Sequence, residues 1–199
     1  MKLLWLPFLL LRSLFFKTGP DEPILTGAEQ IDAYLPYLKG KKVCMLVNQT
    51  SIIGKKLSVD SLQALGVDIK LIFGPEHGFR NNASNGDHVA DEVDPKTGIK
   101  IVSLYGKKSR PTPEEMAQID VRSCAEAGKE LVILDRPNPN DCVDGPILDM
   151  ALESGIGRFP IPITHGMTIG EFAQMINGEG WIANKQQCKL KIIPLKNYT

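Results

Sequence analysis

Ile69-Lys70-Leu71-Ile72-Phe73-Gly74-Pro75-Glu76-His77-Gly78-Phe79-Arg80 is the stretch on which the reading of the fold turns. An apolar, β-rich run ends at Phe73, and Gly74 and Pro75 stop it. An acid, an imidazole and a fixed cation follow at once in Glu76, His77 and Arg80. In an open parallel sheet the ligand crevice lies outside the carboxyl ends of the strands, and strand-terminal loops carry the reacting groups. The same residues also suit an ordinary polar turn in which Arg80 pairs with Glu76 at the surface.

Upstream, Thr26 to Leu38 places Ala28, Ile31, Tyr34, Leu35 and Leu38 near helical spacing. Val43 to Val47 is a continuous apolar run that suits a strand covered on both faces, and it ends in Asn48-Gln49-Thr50-Ser51. Leu57 to Leu65 reads as a helix stopped by Gly66, so strand, helix and the Val67–Phe73 strand form one βαβ crossover. Downstream, Asn81 to Lys100 has no apolar period and reads as a long loop over the site. Ile99 to Tyr105 is a third strand, Thr112 caps a helix, and Arg122 to Lys129 is helical. Glu130 to Leu134 is a buried strand that ends in Asp135-Arg136-Pro137-Asn138. Pro160 to Ile163 leads to Thr164-His165-Gly166-Met167, a helix runs from Thr168 to Asn177, and Lys189 to Ile193 is a last strand. The pattern is α/β, a mostly parallel sheet with helices on both faces.

Composition narrows the function. The 199 residues are 43% hydrophobic and 23% charged, with 23 basic and 23 acidic side chains, which fits one globular domain. Zero net charge gives no reason to expect nucleic acid or an anionic membrane as partner. Residues 1–18 read as a signal-like or membrane-adherent leader, although Arg12 interrupts the apolar run and no Ala-x-Ala-like cleavage site follows. The expected location is periplasmic or secreted, with the cytoplasm as the alternative. Cys44, Cys124, Cys142 and Cys188 are scattered, with no Cys-x-x-Cys and no His-x-x-x-His, so no metal is expected. Gly-x-Gly-x-x-Gly, the phosphate-binding Gly-x-x-x-x-Gly-Lys-Ser/Thr and the Gly-x-Ser-x-Gly elbow are all missing, so no cofactor and no serine nucleophile are expected either.

Four strand ends thus supply polar clusters: Asn48-Gln49-Thr50, Glu76-His77 with Arg80, Asp135-Arg136 with Asn138, and His165. Carboxylates with Arg, Asn and His suit a hydrolase that protonates a leaving oxygen, or a polar-ligand binding protein. Glu171, three residues after Thr168, completes a capping-box pattern that accounts for it without catalysis. His77 and His165 each suit a general base or a backbone hydrogen bond beside a cleft.

Phe-Gly-Pro-Glu-His-Gly-Phe-Arg (73–80), Asp-Pro-Lys-Thr-Gly-Ile (94–99) with Ser-Leu-Tyr-Gly (103–106), Leu-Asp-Arg-Pro-Asn-Pro (134–139), Asp-Gly-Pro (144–146) and His-Gly-Met-Thr-Ile-Gly-Glu (165–171) together resemble the NamZ-like exo-β-N-acetylmuramidases. The resemblance spans residues 25–199. It implies a Rossmann-like N-terminal domain and a smaller C-terminal domain that completes the cleft, here expected to be missing. It also implies release of N-acetylmuramic acid from the non-reducing end of peptidoglycan saccharides or muropeptides, without metal or nucleotide. The alternative is a non-catalytic muropeptide- or sugar-binding remnant.

Carried over by motif, Glu76 is the leading catalytic carboxylate and general acid, with His77 beside it. Asp135, Asp144 and Glu171 are the candidates for a second carboxylate, Asp135 being the favoured one. Asn48, Arg80, Arg136, Asn138, His165 and Glu171 would line the sugar pocket, and Arg80 or Arg136 would hold the lactyl carboxylate by charge complementarity. The sequence departs from the family near 120–122, where a strand and loop are expected to be lacking.

Overall fold

The computed structural model describes residues 22–74, 80, 92–104, 128–154 and 157–198. The leader, Glu76, His77, His88, Cys124, the helix from Thr112, most of the Arg122–Lys129 helix and the 120–122 departure lie outside the described residues.

In chain order the elements are α1 (Ile31–Leu38), β1 (Lys42–Leu46), β2 (Ile52–Ile53), β3 (Lys56–Leu57), α2 (Ser58–Ala64), β4 (Asp68–Gly74), β5 (Glu92–Val93) and β6 (Lys100–Ser103). They continue with β7 (Glu130–Leu134), β8 (Val143–Ile147), β9 (Pro162–His165), α3 (Ile169–Gly178) and β10 (Lys189–Ile193). The fold is mixed α/β, with a mostly parallel four-stranded sheet in the order β1-β4-β6-β5. β1, β4 and β6 run parallel, and the short β5 pairs antiparallel to β6. β7 and β10 pair in parallel as a second sheet. The single parallel sheet expected from the sequence is therefore divided in two among the described residues. β5, inside the segment expected to be loop, and the β8–β9 hairpin are further corrections.

Side-chain burial explains why β4 and β6 are central. Ile72 and Phe73 are fully buried, and Ile101 and Val102 nearly so. α1 serves both sheets: Tyr34 and Leu38 join one apolar cluster with Ile72 and Ile101 on one side and Ile193, Val132 and Leu134 on the other. Burying a side chain of this size stabilises by roughly 2–3 kcal/mol. That clamp substitutes for a ladder between the sheets. Tyr34 still satisfies its hydroxyl, which donates to the Ala28 carbonyl at 2.8 Å, and burial pushes its pKa up to about 12.

β7 runs alongside β1 and in the same direction. Lys41 Nζ meets Glu130 Oε2 at 3.4 Å where both strands begin, and Arg136 Nη1 donates to Thr50 Oγ1 at 2.8 Å where both have ended. Yet no backbone ladder joins them among the described residues. Among those residues, too, no helix is long and apolar enough to cross a membrane.

Candidate functional site

The parallel register brings three strand ends to one edge. Val47 N donates to Phe73 O at 3.1 Å, and Leu104 N donates to Gly74 O at 2.9 Å, so β1, β4 and β6 finish side by side. β4 ends at Gly74 on that edge, two residues before Glu76 in the sequence. Gly74 and Arg80 are described, and Glu76 and His77 are not.

The loop after β1 is folded around Asn48. Its Oδ1 accepts from Thr50 N at 3.0 Å, Thr50 Oγ1 at 2.8 Å and Ser51 Oγ at 3.3 Å, a side-chain turn of the kind Asn favours. Thr50 Oγ1 in turn accepts from Arg136. An exposed guanidinium in the loop after β7 is thus steered over the β1 loop, with Asn48 acting behind Thr50.

Asp135 is only 4% exposed. Its Oδ1 accepts from Arg136 N at 3.0 Å and Gly170 N at 2.9 Å, and its Oδ2 accepts from Thr168 Oγ1 at 2.7 Å. Gly170 N lies in the first turn of α3, where orphan N–H groups need acceptors, and Thr168 is the residue that caps that turn. Gly170 is required for the approach: a Cβ there would stand 2.6 Å from Asp135 Oδ2. Thr168 and Glu171 close the expected capping box, with Thr168 N donating to Glu171 Oε2 at 2.8 Å and Glu171 N to Thr168 Oγ1 at 3.2 Å. Asp135 and Glu171, two of the carboxylates expected near the chemistry, thus hold the start of the helix. A cleft of about 300 Å³ opens beside them, lined by Asp135, Thr168, Glu171, Gln174 and Tyr198 among others.

Asn138 and His165 grip one residue from two sides. Asn138 Nδ2 donates to Met167 O at 2.9 Å, and Met167 N donates to His165 Nδ1 at 3.1 Å. Gly166 makes that turn, with φ of +68° and its Cα turned so that a Cβ would lie 3.1 Å from Cys142 O. The imidazole stacks on Phe172 at 5.3 Å, and Phe172 meets Phe159 edge-on.

Arg80 is placed differently from the expectation of a sugar-pocket cation. Its Nε and Nη2 donate to Asp94 at 2.6 and 2.7 Å, and Nη2 reaches Asp60 Oδ1 at 2.9 Å. Asp94 is fully buried, and the Arg80 hydrogen bonds hold its pKa down at about 2. Asp60 is lowered for the same first reason, and Arg80 is raised by its two carboxylates, Asp94 foremost. The fork is spent inside the protein, tying α2, the loop before β6 and the chain after β4 together. The pairing of Arg80 with Asp94 and Asp60, and of Arg136 with Thr50, had no sequence signal, because these partners lie 14, 20 and 86 residues apart. Among the described residues no group of His, Cys, Asp and Glu could hold a metal.

The profile of the family "Exo-beta-N-acetylmuramidase NamZ, N-terminal" matches residues 43–122 and again 121–199. The chain belongs to the NamZ N-terminal family. The peptidoglycan beta-N-acetylmuramidase NamZ of Bacillus subtilis (strain 168) is 39% identical over 195 residues, covering 82% of this chain and 46% of its own. Two crystal structures of DUF1343 family proteins from Bacteroides fragilis NCTC 9343 are also similar. One is 40% identical with a TM-score of 0.76, over 89% of this chain and 53% of that one. The other is 30% identical with a TM-score of 0.75, over 88% and 51%. The chain spans about half the length of these NamZ-related proteins.

Proposed function

We propose that this chain is the N-terminal, Rossmann-like part of an exo-β-N-acetylmuramidase that releases N-acetylmuramic acid from the non-reducing end of peptidoglycan fragments. A C-terminal domain completes its cleft, and it works in the periplasm or outside the cell. What supports the reading is the pair of polar runs, Asn48–Thr50–Arg136 and Asn138–Met167–His165, after the ends of β1, β7 and β9, with β4 ending at Gly74, two residues before Glu76 in the sequence.

Glu76 is the general acid, protonating the leaving glycosidic oxygen, with His77 next to it. Arg136 holds the lactyl carboxylate: of the two arginines considered, Arg80 already has two carboxylates on its fork, whereas Arg136 is exposed and backed by a hydroxyl. Asp135 anchors α3 beneath the pocket. Asp144, exposed on β8, is the remaining candidate for the second carboxylate.

The binding-remnant reading draws on a separate observation. A doubly wound sheet of order 3-2-1-4-5-6 sets its fourth strand beside its first. Here β6, β4 and β1 supply 3-2-1 and β7 and β10 supply 5-6, with no ladder between β1 and β7, and the family match breaks at 121–122, between β6 and β7. A lost fourth strand would leave a pocket that binds but does not turn over.

Hydrolysis of a chromogenic β-N-acetylmuramide by the chain and by its Glu76→Gln variant separates the two. Turnover that disappears in the variant supports the enzyme; a folded parent that binds muropeptide without turnover supports the remnant.

A further inference from the structure

We propose that His165 is a specificity-determining hydrogen-bond donor, its Nε2–H taking the acyl carbonyl oxygen of an N-acylated amino sugar. This rests on the muramidase reading above and assigns one of its contacts.

His165-Gly166-Met167 form a tight turn at the end of β9. Gly166 adopts a left-handed conformation, which folds the Met167 N–H back onto His165 Nδ1 at 3.1 Å. A ring nitrogen that accepts carries no proton, so the imidazole proton sits on Nε2. The ring cannot then serve as a base through Nε2, and it can only donate there. Asn138 holds the carbonyl side of Met167 at 2.9 Å, so the residue that fixes the tautomer is itself held from the loop after β7. Stacking on Phe172 at 5.3 Å and 19° between planes sets the ring's orientation.

Nε2 is not among the buried polar atoms that lack a partner, and no acceptor among the described residues takes it. An orientated donor is left facing outward at the end of β9, separated from α3 by three residues. The surroundings select the acceptor. Phe172 and Phe159 make this corner apolar, which suits an acetamido group, a carbonyl oxygen with a methyl beside it. A carboxylate would be better served by Arg136. The two donors thus divide the two substituents that set N-acetylmuramic acid apart from a plain hexose.

The test uses the whole chain. Nitrogen-15 NMR of histidine-labelled protein reads the tautomer, and calorimetric titration compares N-acetylmuramic acid with muramic acid, which lacks the acetyl group. His165→Phe keeps a ring on Phe172 and removes the donor; His165→Gln restores a side-chain N–H at similar reach. The expected results are an Nε2-protonated ring and affinity for N-acetylmuramic acid reduced about 10- to 100-fold in the Phe variant. The Gln variant should stay within a few-fold of the parent, and muramic acid should bind parent and Phe variant alike. A ring protonated on Nδ1, or a folded Phe variant that binds N-acetylmuramic acid as the parent does, overturns the assignment alone. A folded parent that binds neither sugar overturns the muramidase reading and this contact with it.

Discussion

Asp94→Asn is the perturbation whose cost can be worked most directly. The carboxylate is fully buried and accepts from Arg80 Nε at 2.6 Å, Arg80 Nη2 at 2.7 Å, Thr97 N at 3.1 Å and the Thr97 hydroxyl. Asparagine keeps the shape but replaces one acceptor by an NH₂, which faces either the guanidinium or Thr97, donor against donor. Breaking a buried pair from one side costs about 3–5 kcal/mol, and Arg80 keeps Asp60, so we expect the lower end, about 3 kcal/mol. With a urea slope of about 1.5–2 kcal/mol/M, the unfolding midpoint should fall by roughly 1.5–2 M.

The pH dependence gives a second readout. The folded-state pKa of Asp94 is lowered from 3.8 to about 2, so the stabilisation is present above the unfolded value and is lost as pH falls through about 2. The linkage amounts to ~2 kcal/mol, less than the mutational cost because the substitution also strands donors. The gap between parent and variant should therefore narrow between pH 4 and pH 2. Equal midpoints at pH 7, or a gap that stays constant down to pH 2, would refute the reasoning.

Gly170→Ala should lower the melting temperature by several degrees, since its Cβ would fall 2.6 Å from Asp135 Oδ2 and the helix anchor must shift, about 2 kcal/mol of overpacking; a melting curve that matches the parent would show that the anchor yields freely. Arg136→Gln should weaken N-acetylmuramic acid about 10- to 100-fold and leave N-acetylglucosamine unchanged, as read by calorimetry; equal losses for both sugars would remove the lactyl assignment. Grafting the corresponding segment of the Bacillus relative between Val121 and Arg122 should raise the urea midpoint by joining β1 to β7 through a further strand. A graft that folds no more stably than the parent would count against a lost central strand.

Local features were readable because sequence neighbours are their cause. β4 ends at Gly74, one residue past the Phe73 that the Gly-Pro punctuation marked, and Thr168 and Glu171, three apart, close the capping box that their spacing spells out. β5 and the β8–β9 hairpin carry no period to read: β5 is two residues in a polar tract, and β8 contains Gly145 and Pro146. The division of the sheet was hidden too, since β7 as an apolar run says nothing of which strand lies beside it.

The site shows the same boundary more sharply. Arg80 finds Asp94 and Asp60 at separations of 14 and 20 residues, and Asp135 finds Thr168 and Gly170 at 33 and 35. Sequence motifs announce that charge collects at the strand ends, but which charges stay available is decided by long-range partners that fold in first. A carboxylate beside a helix N-terminus is drawn into capping it, and an arginine between a buried and a half-buried acid is drawn into pairing them. Among the described residues at the strand ends, two are only partly satisfied by their surroundings: Arg136, with one nitrogen on Thr50, and His165, with Nδ1 on Met167. Each is fixed at one end and open at the other, which is the state a ligand-binding donor requires.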